Sequence, residues 1–176
     1  MSPHGRPKGE YRSAQHEGSP VPLPLLIFGW GNRSRGDDAL GPVCVEQLRA
    51  LCGGAEPVEF LDDYQLMIEH ALDLVGRSRV LFIDASLSAC APFETRAVRA
   101  ARGSGPSSHA LPPEALLQVY IDVQREAPPP CTLLAIRGER FELGTPPSAA
   151  ALRHLQAAVA WARAWLAAPQ PHPLPA

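Results

Sequence analysis

The chain predicts an α/β fold: a three-layer α/β/α sandwich with a twisted, mostly parallel sheet of about five strands and helices on both faces. Short apolar runs recur along it, at Leu25 to Trp30, Val58 to Leu61, Val80 to Ile83 and Cys131 to Ile136. Segments of helical period lie between most of them, the alternation expected of a parallel sheet with crossover helices. The run Val80-Leu81-Phe82-Ile83 is apolar at every position, as in a strand buried on both faces.

The first strand is expected over Leu23 to Trp30. It stops at Gly31, and after the paired carboxylates Asp37 and Asp38 a helical pattern with Val43, Val45, Leu48 and Leu51 predicts a helix over Asp38 to Cys52. Val58 to Leu61 reads as a short second strand, followed by a helix from Leu66 to Val75. Val80 to Ile83 is the third strand and runs straight into Asp84-Ala85. Phe93 to Ala100 alternates β-branched and charged residues, the pattern of a half-exposed edge strand. Pro112 to Val123 reads as a helix opening on two prolines, where proline is tolerated. Cys131 to Ile136 is the last strand, and the alanine-rich stretch Ser148 to Leu166 a closing helix.

Residues 1–22 are rich in Gly, Pro, Ser and charge without an apolar period and read as a disordered N-terminal extension. Residues 23–168 form one domain, within the size a single core serves, and 169–176 are a Pro-rich tail. A composition of 45% hydrophobic and 19% charged residues is that of a soluble globular domain. A formal net charge of −2 argues against a nucleic-acid surface. No apolar run approaches the roughly 20 residues of a membrane helix, and the N-terminus has no apolar signal core. A cytoplasmic protein that engages neither nucleic acid nor membrane is expected.

Four cysteines, Cys44, Cys52, Cys90 and Cys131, form no C-x-x-C pair, which leaves neither a zinc knuckle nor a redox motif and predicts buried free thiols. His4, His16 and His172 fall in the termini and read as solvated. His70 and His154 fall in predicted helices and read as surface or partly packed imidazoles.

The loop Gly31-Asn32-Arg33-Ser34-Arg35-Gly36-Asp37-Asp38-Ala39-Leu40-Gly41 is the most informative stretch. It is not a phosphate cradle, because carboxylates stand where the helix N-terminus should be free for an anion. One Asp at a helix N-terminus is an ordinary cap; two leave one over. Parallel strands bring their carboxyl ends to one edge, where open α/β folds bind ligands. Asp38 is therefore expected near Asp62 or Asp63, after the second strand, and near Asp84, after the third. A carboxylate at the mouth of a buried strand must be paired, hydrogen-bonded or metal-bound; a loop cap or an ion pair with Arg79 serves equally well at this point. His109 precedes the Pro112 helix in a Gly- and Ser-rich loop. Asp38, Asp84 and His109 make a mixed oxygen and nitrogen set suited to a borderline divalent metal. Asp37 remains for the cap.

These residues together resemble the hydrogenase maturation proteases, the C-terminal processing endopeptidases of the nickel-iron hydrogenase large subunit. The resemblance rests on G-N-x-x-x-x-D-D-x-x-G at Gly31 to Gly41, Leu61-Asp62-Asp63, Phe82-Ile83-Asp84-Ala85, Ser108-His109, and Phe141-Glu142-Leu143-Gly144 before the closing helix. It implies an endopeptidase that removes the C-terminal extension of the large-subunit precursor once nickel has been inserted. By motif match, Asp38, Asp84 and His109 are its nickel-recognising and catalytic residues, and Asp62 is a further acidic position near the substrate, beside Gly31, Asn32 and Asp37. The nickel arrives with the substrate, and no permanently bound cofactor is implied. Ser34 and Ala39 depart from the leucine and glycine many members carry. A metal-dependent hydrolase of small substrates and a non-cleaving precursor chaperone are the competing readings.

Overall fold

The structure, a computed structural model, describes residues 23–54, 57–102 and 111–169. The expectations for the N-terminal extension, for most of the tail and for His109 lie outside these residues. Five strands, β1 (Leu25–Trp30), β2 (Val58–Asp63), β3 (Arg79–Ser86), β4 (Phe93–Val98) and β5 (Cys131–Arg137), form one sheet in the order β2-β1-β3-β5-β4. β1, β2, β3 and β5 are parallel, and β4 closes one edge antiparallel to β5. The α/β sandwich read from the sequence is the fold observed.

Strand alternation sorts the core into two halves. Leu25 and Ile27 of β1, Leu81 and Ile83 of β3 and Leu134 and Ile136 of β5 point to one face, where α1 (Leu40–Cys52) and α3 (Ala149–Ala167) cover them. Leu26, Phe28 and Trp30, with Val80, Phe82 and Leu133, point to the other, beneath α2 (Pro113–Gln124) and the segment after β2. The period-2 pleat thus lets a wholly apolar strand serve two cores at once. Each helix end has a local cause. α1 stops at Gly53, in the left-handed conformation (φ 59°), and α2 begins with Pro113 at a position whose N–H has no helical partner anyway. α3 is capped by Ser148, whose Oγ accepts from the Ala151 N–H at 3.1 Å.

Three expectations are corrected. The helix predicted over Leu66 to Val75 is a 3-10 turn over Ile68–Leu74. Its buried residues, Ala71 and Leu74, are three apart, the repeat that stacks on one side of a 3-10 helix. The His70 imidazole also accepts the Met67 N–H at 2.9 Å, holding the entry to the turn. Arg79 makes no ion pair with Asp84. It opens β3 opposite Leu25, at the other end of the strand, and its Nη2 donates to the Trp165, Leu166 and Ala168 carbonyls at 2.8, 3.1 and 3.0 Å while the guanidinium lies 4.3 Å from the Trp165 ring centre. A cation on the last carbonyls of a helix is favourable, and Arg79→Met is expected to cost about 2–3 kcal/mol by urea denaturation without altering the far edge of the sheet. Third, Cys44 and Cys131 are buried but Cys52 is half-buried and Cys90 exposed.

No described helix is long and apolar enough to cross a membrane.

Candidate functional site

The carboxyl edge of the parallel strands carries the carboxylates. β1 ends between its neighbours, with Gly29 opposite Asp62 on one side and Ile83 on the other. Asp84 follows Ile83 inside β3, paired in register with Ala135 of β5. Above them the chain leaves Trp30, turns at Gly31 and re-enters through a 3-10 turn, Gly36–Ala39, directly into α1.

Two glycines make this close approach possible. Gly31 sits at φ 143°, and a Cβ there would lie 2.0 Å from the Asp38 carbonyl oxygen. A Cβ on Gly41 would lie 2.3 Å from the Trp30 carbonyl and 2.8 Å from that of Ile83, so the first turn of α1 rests on the strand ends themselves.

Asp38 is half-buried, and its Oδ2 accepts the Asn32 backbone N–H at 3.0 Å. The charge of Asp38 acts on Asp84, so the structure brings these two predicted residues together. Burial first, then repulsion from Asp38, pushes the Asp84 carboxyl up to about 7, against the lowering effect of hydrogen bonds from the Ala85 N–H and the Trp30 indole. The Ala85 bond is 2.8 Å long. Two like charges acting on one another are electrostatically unfavourable, and a divalent ion bound by both would reverse the sign of the interaction. Their oxygens are suitable donors for one. Among the described residues no three His, Cys, Asp or Glu side chains converge, and His109 is not among those residues.

Asp62 stands apart, on the far side of β1. Its Oδ2 accepts from Arg33 at 3.1 Å and its Oδ1 from Arg49 at 3.4 Å, and Arg33 also pairs with Glu46 at 2.8 Å. Gly31, Asn32, Arg33, Ser34, Asp62 and Tyr64 line a shallow groove of about 390 Å³ on that side, joined to Asp38 through the Asn32 N–H.

Asp37 does not cap its own helix, as the sequence led us to expect; neither the 3-10 turn nor α1 has a side-chain cap. It is completely buried, so it reaches no substrate directly. Its Oδ2 accepts from the Glu139 and Arg140 N–H groups at 2.7 and 2.9 Å and from Ser148 Oγ at 3.0 Å, and its Oδ1 from the Ser148 N–H at 2.5 Å. Burial pushes this carboxyl up, but the hydrogen bonds outweigh it and hold Asp37 below its ordinary value. Asp37 therefore staples the loop before α1 to the loop before α3. Backbone bonds continue the seam, with Gly36 N–H to Thr145 O at 3.0 Å, Asp37 N–H to Arg140 O at 2.7 Å and Gly144 N–H to Ser34 O at 2.7 Å. Arg35 Nε adds a bond to Phe141 O at 2.9 Å. Phe141 to Gly144, noted in the sequence only as a motif, buttresses the Asp38 loop.

Cys44, Cys90 and Cys131 are not activated nucleophiles. Burial pushes the Cys44 and Cys131 thiols up to about 12, and a hydrogen bond with Glu94 raises that of Cys90. His70 was not expected at this edge. Its Nδ1 accepts from the Met67 N–H, its Nε2 lies 3.3 Å from Asp63 Oδ2, and its ring meets Phe28 edge-on at 4.7 Å.

No family model and no curated protein sequence matches the chain. Solved structures do. The NiFe hydrogenase maturation protease HycI from Thermococcus kodakarensis is 20% identical, with a TM-score of 0.66 over 83% of this chain and 94% of that one. The hydrogenase maturating endopeptidase HybD from Escherichia coli is 22% identical, with a TM-score of 0.66 over 81% and 91%. The hydrogenase 2 maturation peptidase from a Thaumarchaeota archaeon is 20% identical, with a TM-score of 0.57 over 81% and 97%. At such identities the likeness is one of architecture: the chain has the fold of the hydrogenase maturation proteases.

Proposed function

We propose that this protein is a hydrogenase maturation endopeptidase, which removes the C-terminal extension of a nickel-iron hydrogenase large-subunit precursor after nickel insertion. The observation that carries the reading is the Asp38 and Asp84 pair, two carboxylates that the sheet edge of this fold places within electrostatic reach of one another. The G-N-x-x-x-x-D-D-x-x-G loop that delivers Asp38 supports it. So does the absence from the sequence of a G-x-S-x-G elbow or an H-E-x-x-H pair, which leaves an independent protease mechanism without parts.

In this reading the nickel belongs to the substrate. Asp38 and Asp84 offer it oxygen donors, and His109, by motif match, an imidazole. The grip fixes the neighbouring scissile peptide in register, and water adds to its carbonyl so that the C–N bond breaks and the extension leaves as an amine. Asp62, Gly31 and Asn32 line the groove through which the precursor approaches. The cytoplasm, where the precursor would be met, is part of the same proposal.

Asp38→Ala and His109→Ala are each expected to leave the protein folded and to stop processing of nickel-loaded precursor, followed by the mass of its C-terminal peptide. Full activity in both variants would eliminate the site.

A further inference from the structure

We propose that the exposed apolar strip formed by Tyr64, Met67, Ile68 and Leu72 docks the macromolecular substrate, through an apolar segment of that partner flanked by lysine or arginine. The identity of the partner rests on the proteolytic reading above; the strip and its chemistry do not.

The segment after β2 is apolar on both sides. Leu66, Ala71 and Leu74 are inserted into the core at 1, 2 and 0% exposure, which accounts for one side. The other side should then be polar, as in any amphipathic surface element. Instead Tyr64 is 62% exposed, Ile68 63%, Leu72 61% and Met67 41%. Single exposed apolar residues are ordinary, but a cluster on one short segment marks an interaction surface.

This surface is held in shape. His70 accepts the Met67 N–H, its Nε2 lies 3.3 Å from Asp63 Oδ2, and its ring is wedged against Phe28. A strip already ordered loses little conformational freedom when it is covered. It is also continuous with the carboxylate site. The Tyr64 hydroxyl accepts from Asn32 Nδ2 at 2.9 Å, and the Asn32 backbone N–H holds Asp38. Tyr64 and Asp63 therefore belong both to the groove and to the strip.

Charge selects the occupant. From Phe60 to Val75 the chain has no Lys or Arg and carries Asp62, Asp63, Glu69 and Asp73. Asp62 is neutralised by Arg33 and Arg49. Asp63 and Glu69, both exposed and neither paired with a Lys or Arg among the described residues, are left to rim the strip with negative charge. A second copy of this chain would set two acidic rims against each other. A basic-flanked apolar segment complements both features.

The test uses the full chain, the nickel-loaded large-subunit precursor of the same organism, and the variants Ile68→Ser/Leu72→Ser and Glu69→Lys, neither in the cleavage machinery. Both are expected to unfold at the wild-type midpoint. The double variant should bind precursor about tenfold or more weakly, raising the half-saturating precursor concentration while processing at saturation is unchanged. Glu69→Lys should weaken binding about threefold in low salt, and salt should abolish the difference. Wild-type half-saturation in the double variant overturns the docking surface and leaves the protease reading intact. Binding without cleavage by the wild-type protein overturns the protease reading, and the affinity of the double variant still decides the docking surface. A wild-type protein that fails to bind precursor overturns both. A dimer in sedimentation that the double variant dissolves assigns the strip to self-association and overturns the proposal.

Discussion

Replacing Asp84 by asparagine is expected to abolish processing and to stabilise the fold at the same time. Burial and the charge of Asp38 raise this carboxyl from its ordinary value of 3.8 to about 7, so the native protein binds its proton more tightly than the unfolded chain does. The native state therefore gives up stability as pH rises from about 4 through about 7, and the whole penalty is present above that. At about 1.4 kcal/mol per pKa unit the ceiling is about 4 kcal/mol. Asp84 is half-buried, and solvent screening brings the expected gain for Asp84→Asn to about 2 kcal/mol at pH 8, vanishing below pH 4. Asparagine keeps an acceptor for Ala85 and Trp30 while removing the charge. Processing should fall by well over a hundredfold, because loss of a partner one step removed from a metal already costs about 10- to 100-fold and Asp84 is proposed to hold the metal itself. Urea denaturation at pH 8 and pH 4, with precursor processing at pH 8, reads both effects. A variant that is less stable at pH 8 would contradict the electrostatic account of the site. Functional sites commonly hold such local conflict in place of stability.

Asp37→Ala is expected to do the reverse, costing stability before it touches chemistry. It strips the acceptor from three backbone N–H groups and the Ser148 hydroxyl, all bonded to one buried carboxylate. Orphaned buried donors cost about 1–3 kcal/mol each, and a loss of about 4 kcal/mol or more is expected at pH 7, a large share of an ordinary domain's stability. Asp37→Asn should fall between, because one oxygen can serve the Oδ2 partners while its amide meets the Ser148 N–H donor to donor. The pH signature is opposite in sign to that of Asp84. The Asp37 carboxyl sits below its ordinary value of 3.8 in the native state, so its contribution is complete above that pH and is lost as pH falls through the native value. Guanidinium unfolding of the wild-type protein and both variants at pH 7 and pH 3 separates them: the gap between wild type and Asp37→Ala should narrow in acid.

The adjacent aspartates show where sequence reasoning succeeds and where it stops. Asp38 was legible because a carboxylate beyond a glycine turn at the end of an apolar strand has a predictable address, and β3 brings Asp84 to the same edge by parallelism alone. Asp37 was not, because its partners are main-chain N–H groups of Glu139, Arg140 and Ser148, more than a hundred residues away. Any residue but proline supplies such a donor, so no side-chain pattern announces it. The strands were readable as apolar runs, and β4 as a half-exposed edge, but its antiparallel direction follows from how the chain returns to β5. The segment after β2 misled for a related reason. Its apolar residues satisfy a helical period only when those facing solvent are counted with those facing the core, and the exposed ones are Ile68 and Leu72.

The seam between the two loops has an evolutionary consequence. Asp38 is placed by backbone, glycine, the Asp37 staple and the Arg35 bond to Phe141, whereas Arg33 and Ser34 at the tip are exposed and line the groove. Substitutions at the tip can change what the groove accepts without shifting the carboxylate. On the proteolytic reading proposed above, partner choice and cleavage chemistry can then drift at different rates, and one scaffold can be retuned for a new partner through two side chains.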